Sequence, residues 1–320
     1  MNYKPILIVP GEPNSIFFEI FFKCLISYKN NSPIIIISSR KIIELHMKKL
    51  KYKFEINSLD KNNIFKSNLN NKRINLIEVE CNYEVKLDKI SNKSKKYIDN
   101  CFKVAFNLIK KKITYKLING PISKKFFLNK KYLGITEYIA NHFKIKNFAM
   151  LIYNEKLSVS PITTHLPLKY VTKKITKQLI VKKIELLDSF YKNFFKKKAK
   201  IAISGLNPHC ESVSKFNEDE KIIVPSIKIL QKKGINIQGP LSADTLFLKD
   251  TRKNYNIIVG MYHDQVLTPM KTLFEFDAIN VTLGLPFIRV TPDHGPNENM
   301  IGKNLSNPIS LIRALQFLDY

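Results

Sequence analysis

Apolar residues along the chain fall into two kinds of run. Short apolar runs at residues 6–9 and 33–37, and shorter or interrupted ones at 74–79 and 117–118, read as buried strands. Between them, apolar positions recur three and four apart, the spacing of a helix face: residues 16–26, the segment after Ser39, and Tyr97, Cys101, Val104, Ala105, Leu108 and Ile109. The alternation continues with candidate strands at 148–153, 157–162, 199–204, 257–261 and 278–283. A helix is predicted over 217–233, because Asn217 can cap it, three acidic residues favour its first turn, and Gly234 follows the lysines at its end. Strand then helix, repeated, predicts an α/β fold of three α/β/α layers around a largely parallel sheet. A chain of 320 residues fits two such lobes. It has neither an internal repeat nor a Pro- or Gly-rich linker, so the lobes are expected to be joined by crossing strands.

Composition changes this picture little. The four cysteines, Cys24, Cys81, Cys101 and Cys210, share no short spacing, which argues against a disulfide framework or a cysteine zinc site and for a reducing compartment. No apolar run approaches the roughly 18–20 residues of a membrane span, and the first one is too short for a signal-peptide core. The expectation is an untargeted cytoplasmic protein. A formal charge of +27 raises the alternative of a basic nucleic-acid or membrane-surface binder. Against it, only five of 53 basic residues are arginine, the usual reader of guanine and of phosphate forks. A solvated, lysine-rich surface without nucleic acid or membrane as partner is expected.

Candidate chemistry gathers at strand ends. His165, His209 and His263 each stand a few residues beyond a predicted strand, and the carboxyl ends of strands form the ligand crevice of α/β sheets. Three neutral imidazoles converging there would hold a metal ion with one position open for substrate; hydrogen-bonded loop histidines are the competing reading. His46 and His142 read as surface residues, and His294 stays unassigned. Gly11, Gly120, Gly205, Gly239, Gly284 and Gly295 lie at the same junctions in a chain with only ten glycines. None forms Gly-x-Gly-x-x-Gly or a P-loop, so a nicotinamide cofactor would be held by other means. In a chain that otherwise uses lysine, Arg289 points to a planar fork for a carboxylate or phosphate, with Lys271 and Asn280 nearby in sequence as further donors. Lys124 follows another strand end but is one of 48 lysines.

The segments 205–209 (Gly-Leu-Asn-Pro-His), 239–247 (Gly-Pro-Leu-Ser-Ala-Asp-Thr-Leu-Phe), 262–265 (Tyr-His-Asp-Gln) and 280–289 (Asn-Val-Thr-Leu-Gly-Leu-Pro-Phe-Ile-Arg) resemble the signature segments of the 4-hydroxythreonine-4-phosphate dehydrogenase family. Pro-Gly-Glu-Pro at 10–13, Asn-Gly-Pro-Ile-Ser-Lys at 119–124 and Thr-Thr-His-Leu-Pro at 163–167 extend the match over nearly the whole chain. The resemblance implies a two-lobed fold similar to isocitrate and isopropylmalate dehydrogenases with the active site in the interlobe cleft. We set the lobes at 1–135 plus 266–320 and at 136–265. It implies that His165, His209 and His263 bind one zinc, magnesium or cobalt ion, and that Thr136, Lys271, Asn280 and Arg289 contact substrate. Asp244, Asp264 and Lys124 are candidates for orienting ligands or relaying a proton. It further implies NAD, or alternatively NADP, as cofactor, and a homodimer in which one chain gives His165 and His209 and its partner gives His263. The implied reaction oxidises 4-phosphohydroxy-L-threonine to a 3-oxo acid that decarboxylates to 3-amino-2-oxopropyl phosphate, a step in pyridoxal phosphate biosynthesis.

Two departures stand out. Ile135 replaces the histidine of the usual Gly-His-Thr-Glu, and Asn14-Ser15-Ile16-Phe17-Phe18 replaces a glycine-rich loop. The first keeps open a related dehydrogenase acting on 4-phospho-threonate or 4-phospho-erythronate.

Overall fold

The computed structural model describes residues 3–64, 69–129, 131–212 and 216–320. The chain divides into two compact units, Met1–Ile139 with Pro286–Tyr320, and Ala140–Leu285.

The first unit begins with β1 (Ile6–Val9), α1 (Phe17–Ser27), β2 (Ile34–Ser38), α2 (Arg40–Leu50), β3 (Ile56–Ser58), β4 (Ile74–Glu78), α3 (Lys95–Lys110), β5 (Lys116–Asn119) and α4 (Ile135–His142), the last running just past the boundary. The second holds β6 (Ala149–Tyr153), β7 (Ser158–Pro161), α5 (Val171–Lys174), α6 (Lys177–Phe194), β8 (Ile201–Ser204), α7 (Val224–Lys232), β9 (Ile237–Leu241), α8 (Ala243–Leu246), α9 (Lys249–Arg252), β10 (Ile257–Gly260), α10 (His263–Phe274) and β11 (Ile279–Leu283). The chain then returns to the first unit with β12 (Ile288–Pro292) and α11 (Ile309–Leu318).

In the first unit the strands run β3-β4-β2-β1-β5-β12, parallel throughout. Every residue of β1, β2 and β5 is buried, so helices must cover both faces of this sheet. Helix α3 packs on β1 and β2, while α11 packs on β12 and against α1. The second unit is mixed: β11-β6-β7 pair antiparallel, then β7-β10-β8-β9 pair parallel. Helix α10 packs on β7 and β10, and α6 on β6 and β11. Those contacts, with the pairing of β11 to β6, put residues 266–285 in the second unit. The boundaries therefore fall at 139/140 and 285/286 rather than at the expected 135/136 and 265/266.

The alternating runs appear as the expected elements, with informative exceptions. Ser39 occupies the N-cap of α2, but its side chain makes no capping bond; the Glu78 carboxylate accepts from Arg40 N instead, 3.1 Å to each oxygen. His46 is buried, not on the surface. It falls on the inward stripe of α2 with Ile42, Ile43 and Leu50, stacks 4.7 Å from the Phe18 ring and donates from Nε2 to Pro13 O at 2.9 Å. The helix predicted over 217–233 starts as a π-helical turn, Asp219–Ile223, before α7. Gly295 meets no close neighbour, unlike Gly120, where a Cβ would come within 2.0 Å of Pro10 O.

Candidate metal and anion sites

The three histidines all belong to the second unit. His165 follows β7, His209 follows β8 and His263 follows β10, and these are three adjacent parallel strands. All three therefore leave the sheet at the same edge, the carboxyl ends. Their loops are tied together. Thr163 gives both its N–H (3.1 Å) and its hydroxyl (2.7 Å) to Met261 O, joining the loop of His165 to that of His263. Gln265 accepts from Met261 N at 2.6 Å and donates to Gly205 O at 2.7 Å, joining the loop of His263 to that of His209. Asp219, buried in the π-helical turn, accepts from Leu206 N at 2.8 Å and from Asn207 N at 3.1 Å. A Cβ on Gly205 would stand 2.8 Å from that carboxylate, so only glycine lets it close on the loop.

The rings of His165 and His263 lie 5.6 Å apart, centre to centre, tilted by 39°. Two imidazoles on one tetrahedral ion, with metal–nitrogen bonds of about 2.0–2.1 Å, bring their centres to roughly 5–6 Å, so this spacing fits a shared ion. Asp264 Oδ1 lies 2.6 Å from His263 Nδ1, and an Nδ1–H held there leaves Nε2 for a ligand. His209 is exposed and takes left-handed backbone angles (φ 53°, ψ 19°). Its Nδ1 is 3.5 Å from Ser242 Oγ. The Ser242 hydroxyl is also the main reason the Asp244 carboxyl sits below the usual range, with His209 adding to the effect. Among the described residues, no three His, Cys, Asp or Glu side chains of one chain close around a single point. Within the chain, His165 and His263 form a close pair.

Arg289 lies in the first unit, on β12, and is fully buried. Its Nε donates to Asn119 Oδ1 at 2.7 Å and an Nη donates to Thr136 Oγ1 at 3.0 Å. Burial pulls its pKa down, to about 9, against the favourable field of Glu137. The guanidinium thus stays charged at neutral pH. The Asn119 amide is itself held, donating to Gly120 O at 2.8 Å, and Glu137 Oε2 is buried with no hydrogen-bond partner among the described residues. Asn119 and Glu137 were missed as candidates. Both were legible: Asn119 opens Asn-Gly-Pro-Ile-Ser-Lys, which carries the resemblance, and Glu137 closes Gly-Ile-Thr-Glu, which departs from the family only at Ile135. Lys124 is exposed on the turn Lys124–Leu128. In the second unit, Lys271 reaches Glu275 O at 3.5 Å, and Asn280 on β11 has a buried Oδ1 with no hydrogen-bond partner among the described residues.

The isocitrate dehydrogenase of Methylococcus capsulatus shares the fold at a TM-score of 0.53 over 98% of this chain and 84% of that one, with 8% identity. The chain belongs to the family described as Pyridoxal phosphate biosynthetic protein PdxA, whose model matches residues 29–318. A relative from Sulfurihydrogenibium sp. (strain YO3AOP1), a 4-hydroxythreonine-4-phosphate dehydrogenase, is 38% identical over 97% of this chain and 95% of its own. The crystal structure of the 4-hydroxythreonine-4-phosphate dehydrogenase from Klebsiella pneumoniae matches 99% of this chain and 97% of its own, with a TM-score of 0.86 and 25% identity.

Proposed function

We propose that this chain is a 4-hydroxythreonine-4-phosphate dehydrogenase that oxidises 4-phosphohydroxy-L-threonine with NAD, using a divalent ion held by His165, His209 and His263. The observation that carries this reading is the delivery of three histidines from adjacent strand ends, two of them at the spacing of a shared ion. When bound, the ion supplies Lewis acidity to the substrate's secondary hydroxyl and to the keto acid that follows. The overall change removes a hydride to NAD and a proton to solvent, and the resulting 3-oxo acid loses carbon dioxide.

This chain's own residues bind and orient. Asp264 fixes the His263 ring, and Ser242 with Asp244 does the same for His209. Arg289 faces an anionic group of the substrate from a site made rigid by Asn119 and Thr136, so binding costs little rearrangement. Lys271 adds a second cation, and the open Oδ1 of Asn280 accepts from a substrate donor. The histidine set is completed across the interface of a homodimer. A second reading rests on Ile135, half-buried beside Thr136 at the start of α4: an apolar side chain there removes a polar contact to substrate and favours 4-phospho-threonate or 4-phospho-erythronate. NADH formation from 4-phosphohydroxy-L-threonine, measured beside both alternatives and with and without chelator, tests the assignment. Turnover of either alternative substrate in preference moves the assignment to the second reading, and no turnover of any of the three removes both.

A further inference from the structure

The first unit contains a cavity of about 610 Å³ between the start of α3 and the segment leading into α4. The volume lies within the roughly 300–1,000 Å³ of small-molecule sites, too small for a nucleic-acid duplex. Lys93, Lys95, Lys96 and Lys131 are four of its eleven lining residues, whereas lysine makes up 48 of the 320 residues of the chain. The next cavity, of about 580 Å³, is lined by one lysine and two glutamates, and a smaller one, of about 190 Å³, by Lys61 and Lys103 among six residues. Among the described lining residues the single carboxylate, Asp99, is already engaged, accepting from the Tyr138 hydroxyl at 2.6 Å and from Lys103 Nζ at 2.7 Å. The four lysines, all exposed, therefore border the space with no other carboxylate among the described lining residues.

Phe127, Tyr132 and Tyr138 give the wall an aromatic part, beside Asn92, Leu128 and Asn129. Tyr138 packs edge-on against Phe127 (5.2 Å) and Tyr132 (5.7 Å), and Lys131 Nζ stands 5.7 Å from the centre of the Tyr132 ring. Aromatic rings beside lysines suit a ligand with a flat ring at one end and a doubly charged group at the other. We infer that this cavity binds a small aromatic phosphate, its ring against Tyr132 and Tyr138 and its phosphate among Lys93, Lys95, Lys96 and Lys131. The site is separate from the Arg289 cluster: α4 turns Thr136 toward Arg289 and Tyr138 toward the cavity.

Titration calorimetry with adenosine monophosphate, pyridoxine 5′-phosphate and inorganic phosphate tests this, the first two separating a nucleotide source from a pyridine one. At least one aromatic phosphate should bind about tenfold or more tightly than inorganic phosphate. The double variant Lys95→Gln/Lys96→Gln should weaken that binding by about tenfold or more while leaving turnover intact. Tyr132→Leu should weaken the aromatic probe and not inorganic phosphate. Saturable binding that survives the double substitution belongs to the Arg289 cluster and overturns the proposal. Absence of saturable binding by both aromatic probes, or equal affinity for inorganic phosphate, overturns it as well.

Discussion

His46 in the first unit and the histidine trio in the second are the same residue type in opposite settings. His46 is sealed under Phe18 with one hydrogen bond, to Pro13 O, and burial holds its pKa down at about 4. It is a structural, neutral imidazole. His165, His209 and His263 stand partly or fully exposed at strand ends, and their loops are held by Thr163, Gln265 and Asp219. The contrast extends to the polar groups around them. Arg289 meets fixed partners within its own unit, whereas the trio presents a close pair of rings, His165 and His263, beside the exposed His209. A histidine's type says little about its role; what decides is whether the backbone turns it into the core or out past the end of a sheet.

Removing the metal should break the comparison most severely. Dialysis against chelator, or His263→Ala, should lower NADH formation by three orders of magnitude or more, roughly 4 kcal/mol in barrier, and zinc, magnesium or cobalt should restore the chelated enzyme. Full activity in metal-free protein would return the trio to the role of loop histidines. Mixed dimers sharpen the point. If one chain supplies His165 and His263 and the partner supplies His209, mixing His165→Ala with His209→Ala protein should restore about a quarter of wild-type activity, because half the dimers are mixed and each has one whole site. Mixing His165→Ala with His263→Ala should then restore nothing. The reverse outcome assigns His263 to the partner, and no rescue in either mixture places all three in one chain.

The sealed histidine gives the next largest effect. Its folded pKa lies below the unfolded value of 6.5, so the unfolded chain binds the extra proton. The stability that His46 contributes is complete above pH 6.5 and is lost as pH falls through the window down to about 4, some 3 kcal/mol in all. The nearby Glu19 charge opposes this only in part. His46→Gln keeps a donor for Pro13 O, so its stability should depend less on pH over that window in denaturant titrations. Parallel pH profiles for the two proteins would contradict a buried neutral imidazole.

Arg289→Lys keeps the charge but loses the fork to Asn119 and Thr136. We expect catalytic efficiency to fall by an amount on the order of 1–3 kcal/mol, with Asn119→Ala moving it the same way by less. An unchanged efficiency for both would leave Arg289 a core residue. Smallest is Asp264→Asn, which weakens the hold on an exposed ring and should lower metal affinity by about tenfold, the low end for such partners; competition with a fluorescent chelator reads it directly.

The sequence by itself marked the strands through short apolar runs alternating with helix-spaced segments, and it placed His165, His209 and His263 just beyond three of them. It also marked Arg289 through the scarcity of arginine. It left undecided what depends on rotation and pairing. The side of α2 that His46 takes follows from Ile42, Ile43 and Leu50 packing inward together. Residues 266–285 join the second unit because β11 finds β6 and α10 finds β7 and β10, partners more than a hundred residues away in the case of α10 and β7. Only the tertiary structure shows Arg289 fully buried on Asn119 and Thr136, or four lysines gathered beside Tyr132 and Tyr138. Such contacts join segments distant in the chain, and spacing along a sequence records the periodicity of an element but not which other element covers it.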